Sequence, residues 1–97
     1  MPAYIIAMVN VSNPDAYKEY AALAGPATAK YGGTFLARGG KTDVLEGNLN
    51  FGRVVINMFD SVEQAKKFYN SPEYQLAKSK RLLAADFNMI VTEGVAD

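Results

Sequence analysis

An α+β fold, in which a four-stranded antiparallel sheet carries two helices on one face, is predicted by three observations. Four segments rich in β-branched and aromatic residues alternate with two helical ones in the order β-α-β-β-α-β. Both helical segments open on capping signals, and glycine-rich turns separate the rest. The 97 residues amount to one domain, 1–97, with a core thin enough that a partner chain would help it.

Ala3 to Val11 is a nearly continuous apolar run and reads as the first strand, covered on both faces. Asn13 then caps a helix that has Pro14 at its first position and Asp15 in its first turn. Tyr17, Tyr20, Ala21 and Ala24 share a face of this helix. Gly25-Pro26 is expected to kink or break it before a second piece ending near Lys30-Tyr31, where Gly32-Gly33 closes it. Thr34 to Arg38 reads as the second strand, bent at Gly39-Gly40 and continued through Thr42 to Glu46. Residues 47–52 form a hairpin loop into a third strand, Arg53 to Phe59. Ser61 and Gln64 match a capping box and open a helix with Val62, Ala65, Phe68 and Tyr69 on one face. Ser71-Pro72-Glu73 restarts that helix, which turns Tyr74, Ala77 and Leu83 inward and ends near Ala85. Phe87 to Glu93 is the fourth strand. This order is the ferredoxin-like arrangement.

Side chains alternate across a strand, so Tyr4, Ile6, Met8 and Asn10 face one way and Ile5, Ala7, Val9 and Val11 the other. Both rows are mostly apolar. Strands three and four repeat the pattern, yet two helices cover only one side. The uncovered side would be an apolar patch several strands wide, which soluble monomers rarely carry. A homodimer, closing its two sheets into a dimeric α+β barrel around a shared cavity, is the expected solution.

The chain has neither cysteine nor histidine. Disulfides, thiolate nucleophiles, imidazole bases, Ser-His-Asp triads and the usual zinc and haem sites are therefore excluded. No cofactor and no metal site is expected. Lys and Arg number 10 against 10 acidic residues, which lowers the expectation of a nucleic-acid partner. No secretion signal and no run long enough to span a membrane is apparent, so a cytoplasmic location without membrane contact is expected.

Several motifs have plain readings. Gly40-Lys41-Thr42 lacks the earlier glycine of a phosphate loop, since position 35 is Phe35. Asn10-Val11-Ser12 fits a glycosylation triplet only in a secreted chain. Phe51, Gly52 and Val54 match part of an RNA-recognition pattern, but Leu49, Asn50, Arg53 and Ile56 do not. Pro2 would offer a secondary amine if Met1 were removed, though proline is also a common strand start. Lys66, Lys67, Lys78, Lys80 and Arg81 read as a solvated helix face. Asn10, Arg53 and Asn57 interrupt apolar rows on the face expected to meet the second subunit, and Arg38 stands beside the glycine pair. There an arginine either pairs with Glu46 or turns its donor fork to a carboxylate or enolate ligand. Tyr69 and Tyr74 flank the helix restart and serve packing or a pocket.

Met1-Pro2-Ala3-Tyr4, Lys30-Tyr31-Gly32-Gly33, Ala37-Arg38-Gly39-Gly40, Glu46-Gly47, Arg53 opening a strand toward Phe59, Phe68 to Tyr74 and the downstream Arg81 together resemble the bacterial domain-of-unknown-function family 1330 over nearly the whole chain. The resemblance implies a ferredoxin-like subunit of the dimeric α+β barrel superfamily, which includes cofactor-independent monooxygenases, lactone isomerases and haem enzymes; the haem enzymes generally use a histidine ligand. It implies no activity of its own. Met58 departs from an acidic residue often found there, and Phe87-Asn88 from a small-basic pair.

The expected function is a homodimeric barrel that binds a small, partly apolar, oxygenated or anionic organic molecule and acts, if an enzyme, as a cofactor-independent monooxygenase or isomerase. Arg38 or Arg53 would hold negative charge, Asn10 and Asn57 would orient polar atoms, Tyr69 and Tyr74 would line the site, and Glu46 would accept a proton. A non-enzymatic dimer filled by side chains is the alternative, and an RNA-binding module the third reading.

Overall fold

The computed structural model describes residues 1–95. Its elements are β1 (Ala3–Val11), α1 (Pro14–Lys30), β2 (Thr34–Arg38), β3 (Arg53–Phe59), α2 (Val62–Tyr69), α3 (Pro72–Arg81) and β4 (Ala85–Glu93). The sheet is antiparallel in the order β2-β3-β1-β4. The ferredoxin-like expectation holds, with the second helix divided into α2 and α3 as the Ser71-Pro72 restart required.

Register decides which side of each strand meets the helices. Ile5 pairs with Asn57 and Val91, Ala7 with Val55 and Met89, and Val9 with Arg53 and Phe87. Ile5, Ala7 and Val9 are buried beneath the helices. The opposite face carries Tyr4, Ile6 and Met8 beside Met58, Ile56 and Val54. Among the described residues no helix covers that face. The molecule is accordingly a slab, 16 Å on its short axis against 37 and 36 Å on the others.

The caps act locally. Asn13 Oδ1 accepts from the Ala16 amide at 3.2 Å, Ser61 Oγ from the Gln64 amide at 3.0 Å, and Ser71 Oγ from the Tyr74 amide at 3.1 Å. The capping box at Ser61 is only half made, because the Gln64 side chain donates to the Tyr31 carbonyl at 2.8 Å. That bond ties the start of α2 to the end of α1. At the other end of the slab the amides of Ser12 and Asn13 both donate to the Ala84 carbonyl, at 2.8 and 3.0 Å.

Three expectations are corrected. Helix α1 runs unbroken through Gly25 and Pro26. Pro26 and Ala22, whose carbonyl loses its helical partner, are both exposed, so water satisfies the freed group. Residues 42–46 form no strand; the chain leaves the sheet at Gly39, at φ +73, and returns only at Arg53. The irregularity in β2 falls earlier, between Phe35 and Ala37. Finally, α3 ends at Arg81 and β4 begins at Ala85, so Arg81 and Ala84 are buried while Leu83 is 96% exposed.

Phe59, Phe68 and Tyr74 are the largest fully buried side chains. Each contributes about 1.5–3 kcal/mol by leaving water. Their rings make a continuous row, 5.0 Å from Phe59 to Phe68 and 4.8 Å from Phe68 to Tyr74. Tyr20 meets Tyr74 edge-on at 6.1 Å and Phe87 at 5.4 Å. Tyr20, Phe68, Tyr74 and Phe87 of this cluster line the cavity described next.

Candidate functional site

Between the sheet and helix α1 lies a cavity of about 50 Å³. Alternation brings Val55 and Asn57 of β3 and Phe87 and Met89 of β4 to its wall, and the register shift between Phe35 and Ala37 lets both Phe35 and Arg38 of β2 reach it. Helix α1 contributes Tyr17, Tyr20 and the small Ala21 and Ala24, which leave the space open. Tyr74 of α3 closes the far side. The volume exceeds the roughly 10–15 Å³ that admits one water, and polar groups face it, so the interior is wettable.

Those polar groups are few and mostly donors. Tyr20 and Tyr74 bring their hydroxyl oxygens to 3.0 Å. Arg81 Nη2 donates to the Tyr74 hydroxyl at 3.3 Å. Burial, and then the neighbouring Tyr74, push the Tyr20 hydroxyl well above the usual tyrosine range, so it stays protonated. Asn57 is 7% exposed, and its Oδ1 is buried with no hydrogen-bond partner among the described residues. Among the described residues no carboxylate lines this cavity.

Three guanidiniums lie on aromatic rings of the wall or beside it. Arg38 Cζ is 4.1 Å from the centroid of Phe35, Arg53 Cζ is 5.2 Å from that of Tyr17, and Arg81 Cζ is 3.8 Å from that of Phe87. Arg38 is exposed at one end, whereas Arg81 is 7% exposed. A Cβ on Gly25 would come within 3.2 Å of Arg38 Nη2. The absence of a side chain at Gly25 thus gives the guanidinium its bed on α1.

The structure divides the residues expected at a site. Arg38, Asn57 and Tyr74 meet in the cavity, and Arg53 lies next to it over Tyr17. The expectation that Asn10, Arg53 and Asn57 share the open face is corrected: Arg53 and Asn57 pair with Val9 and Ile5 on the helix side. Asn10 is exposed, and it braces the loop that enters β3 by accepting from the Gly52 amide at 2.8 Å and donating to the Asn50 carbonyl. Glu46 is exposed in the β2–β3 loop. Among the described residues it forms no ion pair with an arginine; the two pairs present are Lys30–Glu73 and Lys41–Asp43. Tyr69 instead faces a second, apolar cavity of about 170 Å³ with Ala65, Lys66, Ile90 and Val91, and its hydroxyl accepts from Lys78 Nζ at 2.8 Å. Ile5 and Met89 wall both cavities.

Sequence reading assigned Tyr17 and Tyr20 to a packing face and Arg81 to a solvated one. Arg81 could have been found, because it continues the inward spacing Tyr74, Ala77, Arg81 on α3.

Residues 2–95 match the family model described as Domain of unknown function (DUF1330), and the chain belongs to that family. No match was found among curated proteins. Similar solved structures include a protein of unknown function from Rhodopseudomonas palustris, 24% identical, with a TM-score of 0.74 over 99% of this chain and 84% of that one. A dimeric ferredoxin-like protein of unknown function from Jannaschia sp. CCS1 is 14% identical with a TM-score of 0.78, covering 97% and 100% of the two chains. SnoaB, a cofactor-independent oxygenase from Streptomyces nogalater, is 11% identical with a TM-score of 0.70, covering 99% and 95%. These likenesses establish the fold. Among the described residues no helix is long and apolar enough to cross a membrane.

Proposed function

We propose that the chain works as a homodimer, joined through its open sheet face, in which each protomer binds a small, partly apolar, oxygenated molecule between sheet and helices. The site is thereby moved from the expected space between two sheets into the protomer itself. The observation that carries this reading is Asn57: a buried amide oxygen without a protein partner, facing a cavity whose other polar groups converge on the same space. Buried polar atoms are seldom left unpaired, and a ligand hydroxyl or amide would complete this one.

As an enzyme it would perform cofactor-independent oxygenase or isomerase chemistry, with Arg38 holding developing negative charge and Asn57 orienting the reacting group. The SnoaB likeness makes the oxygenase version worth assaying. Glu46 has no part in it, since it stands exposed in the loop after Gly39. An acidic substrate that ionises itself suits the cavity better than one needing a protein base. The RNA-binding reading is less favoured, because β3 presents aliphatic Val54, Ile56 and Met58 on its open face.

The test is an NMR titration of the protein with a panel of small phenols, ketones and carboxylates. Binders should shift the signals of Tyr20, Asn57 and Tyr74 together, and Asn57→Leu should weaken them by about tenfold, the value of one hydrogen bond. A panel without any binder, or binders that ignore Asn57, would defeat the reading.

A further inference from the structure

Arg81 is a buried cation without a visible counter-charge. Its guanidinium stacks on Phe87 and donates one hydrogen bond, to Tyr74; its Nε is buried with no partner among the described residues. Neither ion pair in the described chain involves an arginine. Stacking on a ring offsets part of the cost of burying charge, but a lone desolvated cation is unusual unless an anion joins it.

The bonding order around it has a direction. Arginine only donates, so the Tyr74 oxygen accepts from Arg81 and the Tyr74 proton must point elsewhere. Its neighbours are the Tyr20 oxygen at 3.0 Å and the Met89 sulfur at 4.0 Å, and the hydroxyl is the stronger acceptor. The 3.0 Å contact allows either hydroxyl to donate; when Tyr74 donates, Tyr20 keeps its own proton free for the cavity that it lines. Arg38, unlike Arg81, lines the cavity itself and brings a positive group to its wall.

We propose that the ligand of this cavity is an organic anion, its charged oxygen taking the Tyr20 proton bond, with Arg81 supplying the counter-charge through Tyr74. This rests on the binding function proposed above and names the ligand class. Arg81 is a positioning residue here, acting through Tyr74 without touching the ligand. The room is bipartite: about 50 Å³ for the polar head, and across the flexible Met89 an apolar space of about 170 Å³, comparable with the roughly 150 Å³ that holds benzene in other proteins. An aryl carboxylate therefore suits it as a probe.

Benzoate and benzamide, nearly identical in shape and differing in charge, make the test by calorimetry or NMR titration at neutral pH. The wild-type protein is expected to bind benzoate at least about tenfold more tightly than benzamide, as charge-assisted hydrogen bonds exceed neutral ones. Arg81→Met, which keeps the packing stem, should reduce that preference to about threefold or less while benzamide affinity holds. Tyr74→Phe, which cuts the relay without touching the arginine, should likewise reduce the benzoate-over-benzamide ratio to about threefold or less and serves if the first variant does not fold. Equal affinity of the wild type for both probes, or a preference that survives both substitutions, overturns the anion assignment alone. Absence of benzoate binding by a wild type that binds neutral members of the panel overturns the anion assignment alone, and a panel without any binder overturns it together with the proposed function.

Discussion

Glu73 is the residue whose ionisation is most plainly bound to the fold. Lys30 Nζ donates to one of its oxygens, and the Tyr31 hydroxyl donates to the other at 2.9 Å. These bonds, the lysine's first, together with the residue's own backbone amide, hold its carboxyl at about 2, below the usual value of 4.5. The unfolded chain therefore takes up a proton before the folded one does as pH falls. Stability from this pair is fully present above about pH 4.5 and is lost on acidification toward pH 2. Glu73→Gln should lower the thermal midpoint slightly at pH 7, by little because the pair is open to solvent, match the wild type near pH 2, and so flatten the pH dependence across that window. Differential scanning calorimetry at stepped pH measures it; an equally steep acid slope in the variant would refute the assignment. In the sequence Lys30 and Glu73 are 43 positions apart, and only the packing of α1 against α3 makes them neighbours.

Helix α1 shows what an element conceals until it is packed. Gly25-Pro26 reads as a break because each residue is a poor helix former, yet the helix continues and the pair serves the tertiary structure: Gly25 admits Arg38, and Pro26 stands on the wet side. Pro26→Ala restores one backbone hydrogen bond in an exposed turn. A proline in a helix interior costs about 3 kcal/mol, partly offset by about 0.4–1 kcal/mol through its stiffening of the unfolded chain. Urea unfolding should therefore show a gain of about 2–2.5 kcal/mol, with no change at the cavity; a loss of stability would mean that Pro26 holds a contact of its own. The caps at Asn13, Ser61 and Ser71 were legible because they act within one turn. The strand expected at 42–46 was not realised, since alternating residues become a strand only beside a partner edge, and β2 already ends at Arg38.

At the scale of the molecule, the open face of Tyr4, Ile6, Met8, Val54, Ile56 and Met58 is the contact surface of the proposed dimer. A contact large enough to be stable needs about 1,000 Å² or more of buried surface, and a four-stranded face offers an extended apolar area for it. Ile6 stands at the middle of that face, between Ile56 and Ile90. Ile6→Asp should convert the proposed dimer into a monomer in sedimentation velocity runs at micromolar concentration, because two buried carboxylates would face each other across a two-fold contact. A wild-type protein that sediments as a folded monomer would show that the face has another purpose. The internal cavity would survive that result, as its wall comes from one chain.

From the sequence alone came the order of elements, the helix caps and the two-faced strands, because each depends on neighbours within a few residues or on a period of two. Which face of β3 lies under the helices was decided only by register with β1, a pairing between positions some fifty residues apart. Arg53 and Asn57 thereby went to the helix side, Asn10 to the other, and Glu46 out into a loop. The meeting of Tyr20, Tyr74 and Arg81 likewise needed α1, α3 and β4 to be in place, since a hydrogen-bonded cluster forms only where packing has already set the distances.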